Sequence, residues 1–172
     1  MSSFFFSSRT PHAFRFIPHR FFMAQDKRSP LIQRGIVDFM IAHDLLSYQI
    51  EKALRPLELN LTQMSLLNHF SRQPEKAQTI TELAKVMGIN QPGVTKAVNA
   101  LVDKGCLIKQ DFAEDARIKL IKITQAGLNL LNQARAECYP TIEQAFGVLN
   151  DAELQAFTVS LNKIKTYLDL HR

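Results

Sequence analysis

The chain has 172 residues, 46% hydrophobic and 22% charged, with a net charge of +5, a length that suits one domain of ~100–200 residues. It contains no run of ~18 uncharged apolar residues, which excludes a membrane-spanning helix and leaves no membrane partner to expect. Two cysteines, Cys106 and Cys138, are too few for a disulfide framework or a CxxC metal cage, and they fit a reducing cytoplasm.

The charge is uneven. Residues 72–124 hold nine bases against six acids, and residues 1–22 hold three arginines and no acid, while the remaining segments are nearly balanced. Seven of the twelve phenylalanines also precede Met23. Arg9, Arg15 and Arg20 interrupt any apolar signal core, so this is not a secretory leader, although an Arg-rich and Ser-rich composition is shared with organellar transit peptides. The preferred reading is that the chain proper starts at Met23-Ala24 and that 1–28 is a disordered or over-extended leader.

From Ser29 the helix signals are regular. Ser29 is the expected N-cap with Pro30 at the first helical position. Leu31, Ile32, Ile36, Phe39, Met40, Leu45, Leu46, Ile50 and Leu54 then recur at helical spacing until Pro56. So wide an apolar surface calls for a partner beyond the helix's own domain. Thr62 is expected to open a second helix through Met64, Leu66, Leu67 and Phe70, closed by Gln73-Pro74.

Thr79-Ile80-Thr81-Glu82 is a capping box that starts a short helix, and Gly88 supplies a left-handed end. Asn90 caps the next helix, which tolerates Pro92 in its first turn and carries Val94, Ala97, Val98, Leu101 and Val102 as one stripe. Two short helices joined by a tight glycine turn form a helix-turn-helix. Leu107-Ile108 and Ile118 to Ile123 then read as a two-stranded hairpin, or wing. Thr124 caps a further helix through Leu128, Leu130, Leu131 and Ala134, expected to break near Tyr139-Pro140. Asn150 to Glu153 is a second capping box, starting a final helix with Leu154, Phe157, Leu161, Ile164, Tyr167 and Leu168.

With its apolar stripe turned inward, the helix beginning at Gln91 must present Gln91, Thr95, Lys96 and Asn99 outward. They lie along one side of a rod about 20 Å long, and a helix fits the major groove, where glutamine and asparagine pair with adenine and lysine with guanine or phosphate. Gly93 permits close backbone approach. Each residue also has a plainer reading: Thr95 back-bonded within its helix, Lys96 solvated, Gly93 merely tolerated. Arg117 near the hairpin tip can enter a narrow minor groove, or form only a surface ion pair with Asp115. Lys119 and Lys122 follow on the second strand.

Leu83-Ala84, Gly88-Ile89-Asn90-Gln91-Pro92, Val94-Thr95-Lys96, Leu101-Val102-Asp103-Lys104-Gly105, Asp115-Ala116-Arg117 and Ile123-Thr124-Gln125-Ala126-Gly127 together resemble the MarR family of bacterial transcriptional regulators, over roughly residues 30–168. The resemblance implies a mainly α fold with a small two-stranded β wing: a winged helix-turn-helix with N- and C-terminal dimerisation helices. It divides the chain into a dimerisation helix (29–56), a DNA-binding head (57–124), and C-terminal linker and dimerisation helices (125–172). It also implies a homodimer on a pseudo-palindromic operator. DNA contacts are expected from Gln91, Pro92, Gly93, Thr95, Lys96, Asn99, Asp115, Arg117 and Lys119, with Asp115 holding the wing turn or orienting Arg117. Dimer contacts are expected from Leu31, Ile32, Ile36, Leu154, Phe157, Leu161, Ile164 and Leu168. Ala116 stands where the family often has a base, which predicts a weaker wing contribution.

No enzyme motif is present: no HExxH, P-loop, GxGxxG after a strand or nucleophile elbow. No cofactor is expected, and His43, His69 and His171 lack metal-ligand spacing. Cys106 is expected to be a small buried hydrophobe, and Cys138 is the better candidate for exposure and redox chemistry. The expected function is a cytoplasmic DNA-binding repressor or activator, with double-stranded DNA, itself as a homodimer and a small lipophilic or aromatic effector as partners. The alternative is a winged-helix protein-interaction module that does not read DNA, against which the basic segment argues.

Overall fold

The computed structural model describes residues 28–112 and 115–171. The leader reading therefore lies outside the described residues, except that Arg28 is already helical. The hairpin tip, residues 113 and 114, lies outside them too. Six α-helices are described: α1 (Arg28–Leu54), α2 (Leu61–Ser71), α3 (Ile80–Met87), α4 (Gln91–Asp103), α5 (Gln125–Phe146) and α6 (Asp151–Leu170). Three strands accompany them: β1 (Gln78–Thr79), β2 (Leu107–Phe112) and β3 (Asp115–Ile123). The chain divides into two units, Met1–Met40 and Ile41–Arg172. The described part of the first is the opening stretch of α1, and the second holds every other element.

Local chemistry explains the boundaries of the head. Thr79 and Glu82 form the reciprocal capping box at α3, with Thr79 N–H donating to the Glu82 carboxylate at 2.7 Å. Gly88 ends α3 at φ 64° and donates its N–H to the Ala84 carbonyl, a backbone shape that costs glycine nothing. Asn90 caps α4 by accepting from Gly93 N–H at 2.8 Å. Asn150 and Glu153 form the expected box at α6.

Several boundaries differ from the sequence expectation. Ser29 lies inside α1, which begins no later than Arg28, so it is not the N-cap. The cap of α2 is Asn60, whose side chain accepts from Gln63 N–H while the Gln63 side chain accepts from Asn60 N–H. Thr62 is therefore the second residue of that helix. α5 runs unbroken through Pro140. Proline removes only one i to i−4 bond, and the freed carbonyl is that of Ala136, an exposed residue where water can replace the lost partner.

The sheet has three strands rather than two, in the order β1-β3-β2 and antiparallel throughout. Gln78 pairs with Ile121 and Thr79 with Leu120, and Leu107 pairs with Ile123 along the hairpin. β1 therefore grips only the base of β3, and residues 115–119 extend beyond it with β2 alone. Alternation along β2 turns Leu107 into the core beside Leu83, Val94, Val98, Leu101 and Ile121.

The start of α5 is clamped to the base of the wing. Thr124 Oγ1 donates to the Gly105 carbonyl at 2.7 Å and accepts from Gly127 N–H at 3.1 Å, and Thr124 N–H donates to the Cys106 carbonyl at 3.1 Å. Gly127 is buried against that same carbonyl, which a Cβ at this position would meet at 2.2 Å. Further along, Leu131, Ala134 and Cys138 are fully or almost fully buried, and Arg135 Nη2 donates to Asn68 Oδ1 at 2.7 Å on α2. By contrast, no residue of α6 is buried.

Candidate nucleic-acid interface

The buried stripe Val94, Ala97, Val98 and Leu101 fixes the rotation of α4. It leaves Gln91, Pro92, Thr95, Lys96 and Asn99 exposed on the other side, as the periodicity requires. These residues, with Ala100 and Asp103, line an open concavity of about 680 Å³. Gln91 Nε2 donates to Thr81 Oγ1 on α3 at 3.2 Å, which holds the first side chain of the row. Thr95 Oγ1 donates to the Gln91 carbonyl at 2.8 Å, the back-bond of its plainer reading, which leaves its methyl as the outward group.

Gly93 has a structural reason of its own. A Cβ there would meet Asn90 Oδ1 at 3.0 Å and Ile89 Cγ2 at 3.1 Å, so the small residue preserves the cap as well as the approach to the helix.

On the wing, Asp115 Oδ1 accepts from Arg117 N–H at 2.9 Å. The carboxylate thus pins the backbone that carries the arginine, and Arg117 is exposed. Lys119 pairs with Asp111 across the hairpin, and Lys122 pairs with Glu75 at 2.6 Å. Lys104 pairs with Glu58 at 2.9 Å. Lys104 and Lys122 hold the carboxyls of Glu58 and Glu75 below their ordinary value, through a hydrogen bond first and charge attraction second. The basic surplus of the segment is therefore partly matched in place, though exposed pairs of this kind are weak and a phosphate can compete for the base.

One residue here escapes a sequence reading. Lys109 Nζ on β2 donates to Asn99 Oδ1 on α4 at 2.7 Å. Lys109 lies two residues from Leu107, on the same face of the strand, so β2 carries it to the helix-facing side. Extending the hairpin's first strand beyond Ile108 is the signal that could have found it.

Cys138 is fully buried, which corrects its reading as the exposed thiol, because an unbroken α5 puts it on the same inward face as Leu131 and Ala134. Burial pushes the thiols of both Cys106 and Cys138 up, away from the reactive thiolate. Among the described residues no group of three or more His, Cys, Asp or Glu side chains could hold a metal. His69 instead lies 2.6 Å from Gln78 Oε1, tying α2 to β1. Of the expected dimer residues, Leu31, Ile32 and Ile36 are exposed in the first unit, and Leu154, Phe157, Leu161, Ile164 and Leu168 are exposed in the second. No helix among the described residues is long and apolar enough to cross a membrane.

Comparison with known proteins bears on this geometry. A model of the MarR family matches residues 57–118, from the turn before α2 into β3. Among solved structures, the transcriptional regulator BldR from Sulfolobus solfataricus shares 20% identity, covering 84% of this chain and 99% of its own, with a TM-score of 0.66. BpsR from Bordetella bronchiseptica, solved to explain regulation of its DNA binding by 6-hydroxynicotinic acid, shares 22% identity over 77% of this chain and 98% of its own, with a TM-score of 0.66. A cysteine-to-serine mutant of MarR from E. coli, complexed with operator DNA, shares 21% identity over 81% of this chain and 98% of its own, with a TM-score of 0.64. The resemblance read from the sequence thus holds: residues 57–118 match the MarR family, and the described chain has the winged helix-turn-helix fold of MarR-family regulators.

Proposed function

We propose that this chain is a sequence-specific DNA-binding transcriptional regulator, not an enzyme, that acts in the cytoplasm as a homodimer on a pseudo-palindromic operator. The observation that carries this reading is the exposed row Gln91, Thr95, Lys96 and Asn99 on α4, set over an open concavity within the family-matched head. In it, α4 enters the major groove with Pro92 and Gly93 at its leading turn, while Asp115, Arg117 and Lys119 follow the wing to the adjacent minor groove. Residues 57–124 are the reading head. Residues 29–56 and 125–172 supply the dimer, through the apolar side chains that α1 and α6 leave exposed.

Structural likeness to a regulator whose DNA binding responds to 6-hydroxynicotinic acid supports a small aromatic or lipophilic effector. Such a ligand acts by binding one spacing of the two heads better than another, so that effector and operator affinities are linked.

The test is fluorescence anisotropy with the DNA upstream of the chain's own gene against a shuffled duplex, at two salt concentrations. Tight, salt-dependent binding that prefers the native sequence is expected. Lys96→Ala and Arg117→Ala should each weaken operator binding, by about 1–3 kcal/mol where the side chain reaches a base, with dimerisation unchanged by light scattering. Unchanged affinity in both variants would remove these residues from the interface. Absence of binding even at low salt would favour a winged-helix module that holds a protein partner.

A further inference from the structure

We infer that Lys109 and Asn99 together form a phosphate clamp on the wing side of the α4 groove, in which Asn99 positions the lysine rather than reading a base. The inference rests on the DNA-binding role proposed above.

Three observations carry it. First, an ammonium can only donate, so the Asn99 amide that meets Lys109 Nζ at 2.7 Å must turn its oxygen to the lysine and its NH2 away. That oxygen is the atom an adenine N6–H2 would need, so the lysine competes with a base for it. Second, Lys104, Lys119 and Lys122 each face a carboxylate, of Glu58, Asp111 and Glu75. Lys109 is held by a neutral partner, so its position is fixed while its charge is not matched by that partner. Third, Asn99 lines the concavity and Lys109 is exposed beside it, so both remaining lysine protons and the amide NH2 form a donor-only edge. An edge made only of donors with a full positive charge complements a phosphate, which is acceptor-only and anionic.

The experiment measures binding of the full-length protein and of Lys109→Met, Lys109→Arg and Asn99→Ala to two labelled duplexes, the DNA upstream of its gene and a shuffled version, across a salt series. Lys109→Met should weaken binding to both duplexes by the same factor and lower the slope of log affinity against log salt by about 0.9 for each chain engaged. Lys109→Arg should restore the slope. Asn99→Ala should reduce affinity without changing which duplex is preferred. A parent-like slope in Lys109→Met overturns the clamp while leaving the DNA-binding reading intact. So does a change in sequence preference in Asn99→Ala, which would make Asn99 a base reader. Failure of the parent protein to bind either duplex overturns both.

Discussion

Substituting Gly127 by alanine should destabilise the fold, although alanine is the better helix former. The new Cβ would lie 2.2 Å from the Cys106 carbonyl oxygen and 2.9 Å from Ile123 Cγ1. An ordinary contact starts near 3.4 Å, so a gap of about 1.2 Å must open. The obstructing atom cannot swing aside, because it is backbone and accepts from the N–H of Thr124. Overpacking of this kind costs about 1–3 kcal/mol, and a rigid neighbour places it at the upper end. The intrinsic helical gain of alanine over glycine returns about 1 kcal/mol. The net loss is about 2 kcal/mol, which for a chain of this size lowers Tm by about 4–8 °C. Gly35 in α1 has nothing within 4 Å of its would-be Cβ, so Gly35→Ala should gain up to about 1 kcal/mol. Urea unfolding followed by circular dichroism reads both. If Gly127→Ala matched or exceeded the parent midpoint, the clamp between α5 and the wing base would not be rigid and the reasoning would fail.

Two further outcomes follow from the titrating groups. The Thr79 N–H and hydroxyl hold the Glu82 carboxyl below its ordinary value, so the cap stabilises the fold above the unfolded-state pKa and is lost as pH falls through the lowered folded one. Glu82→Gln should therefore narrow the difference in Tm between neutral pH and pH about 3, and an unchanged difference would refute the linkage. Native Cys106 and Cys138 should react with a thiol reagent only slowly and then fully in denaturant, whereas rapid labelling of Cys138 in the native state would show that α5 opens at its middle.

What can be read from the sequence is mostly what neighbours in sequence decide. The boxes at Thr79 and Asn150, the cap at Asn90 and the left-handed Gly88 each depend on residues within four positions, and all are legible. Asn60 escapes because Thr62 two residues later offers equal capping chemistry, and only the partner Gln63 separates them. Pro140 reads as a breaker because its local cost is visible in sequence, while the packing of Leu131, Ala134 and Cys138 that offsets it is not. The same error hides the burial of Cys138. β1 is two residues long, has no periodicity to detect, and exists only through its pairing with Ile121 and Leu120. In the interface, the outward row on α4 follows from helical period alone. The Lys109 to Asn99 bond joins residues on different elements, and no local pattern predicts it.

The attachment of α5 also sets how far a small movement travels. Its 22 residues make a rod about 33 Å long at ~1.5 Å per residue. One end is locked to the wing base through Thr124, and Arg135 fastens its middle to α2. The helix and the head therefore turn together as a lever, and a tilt of about 5° at one end displaces the other by on the order of 3 Å, close to the spacing of adjacent base pairs.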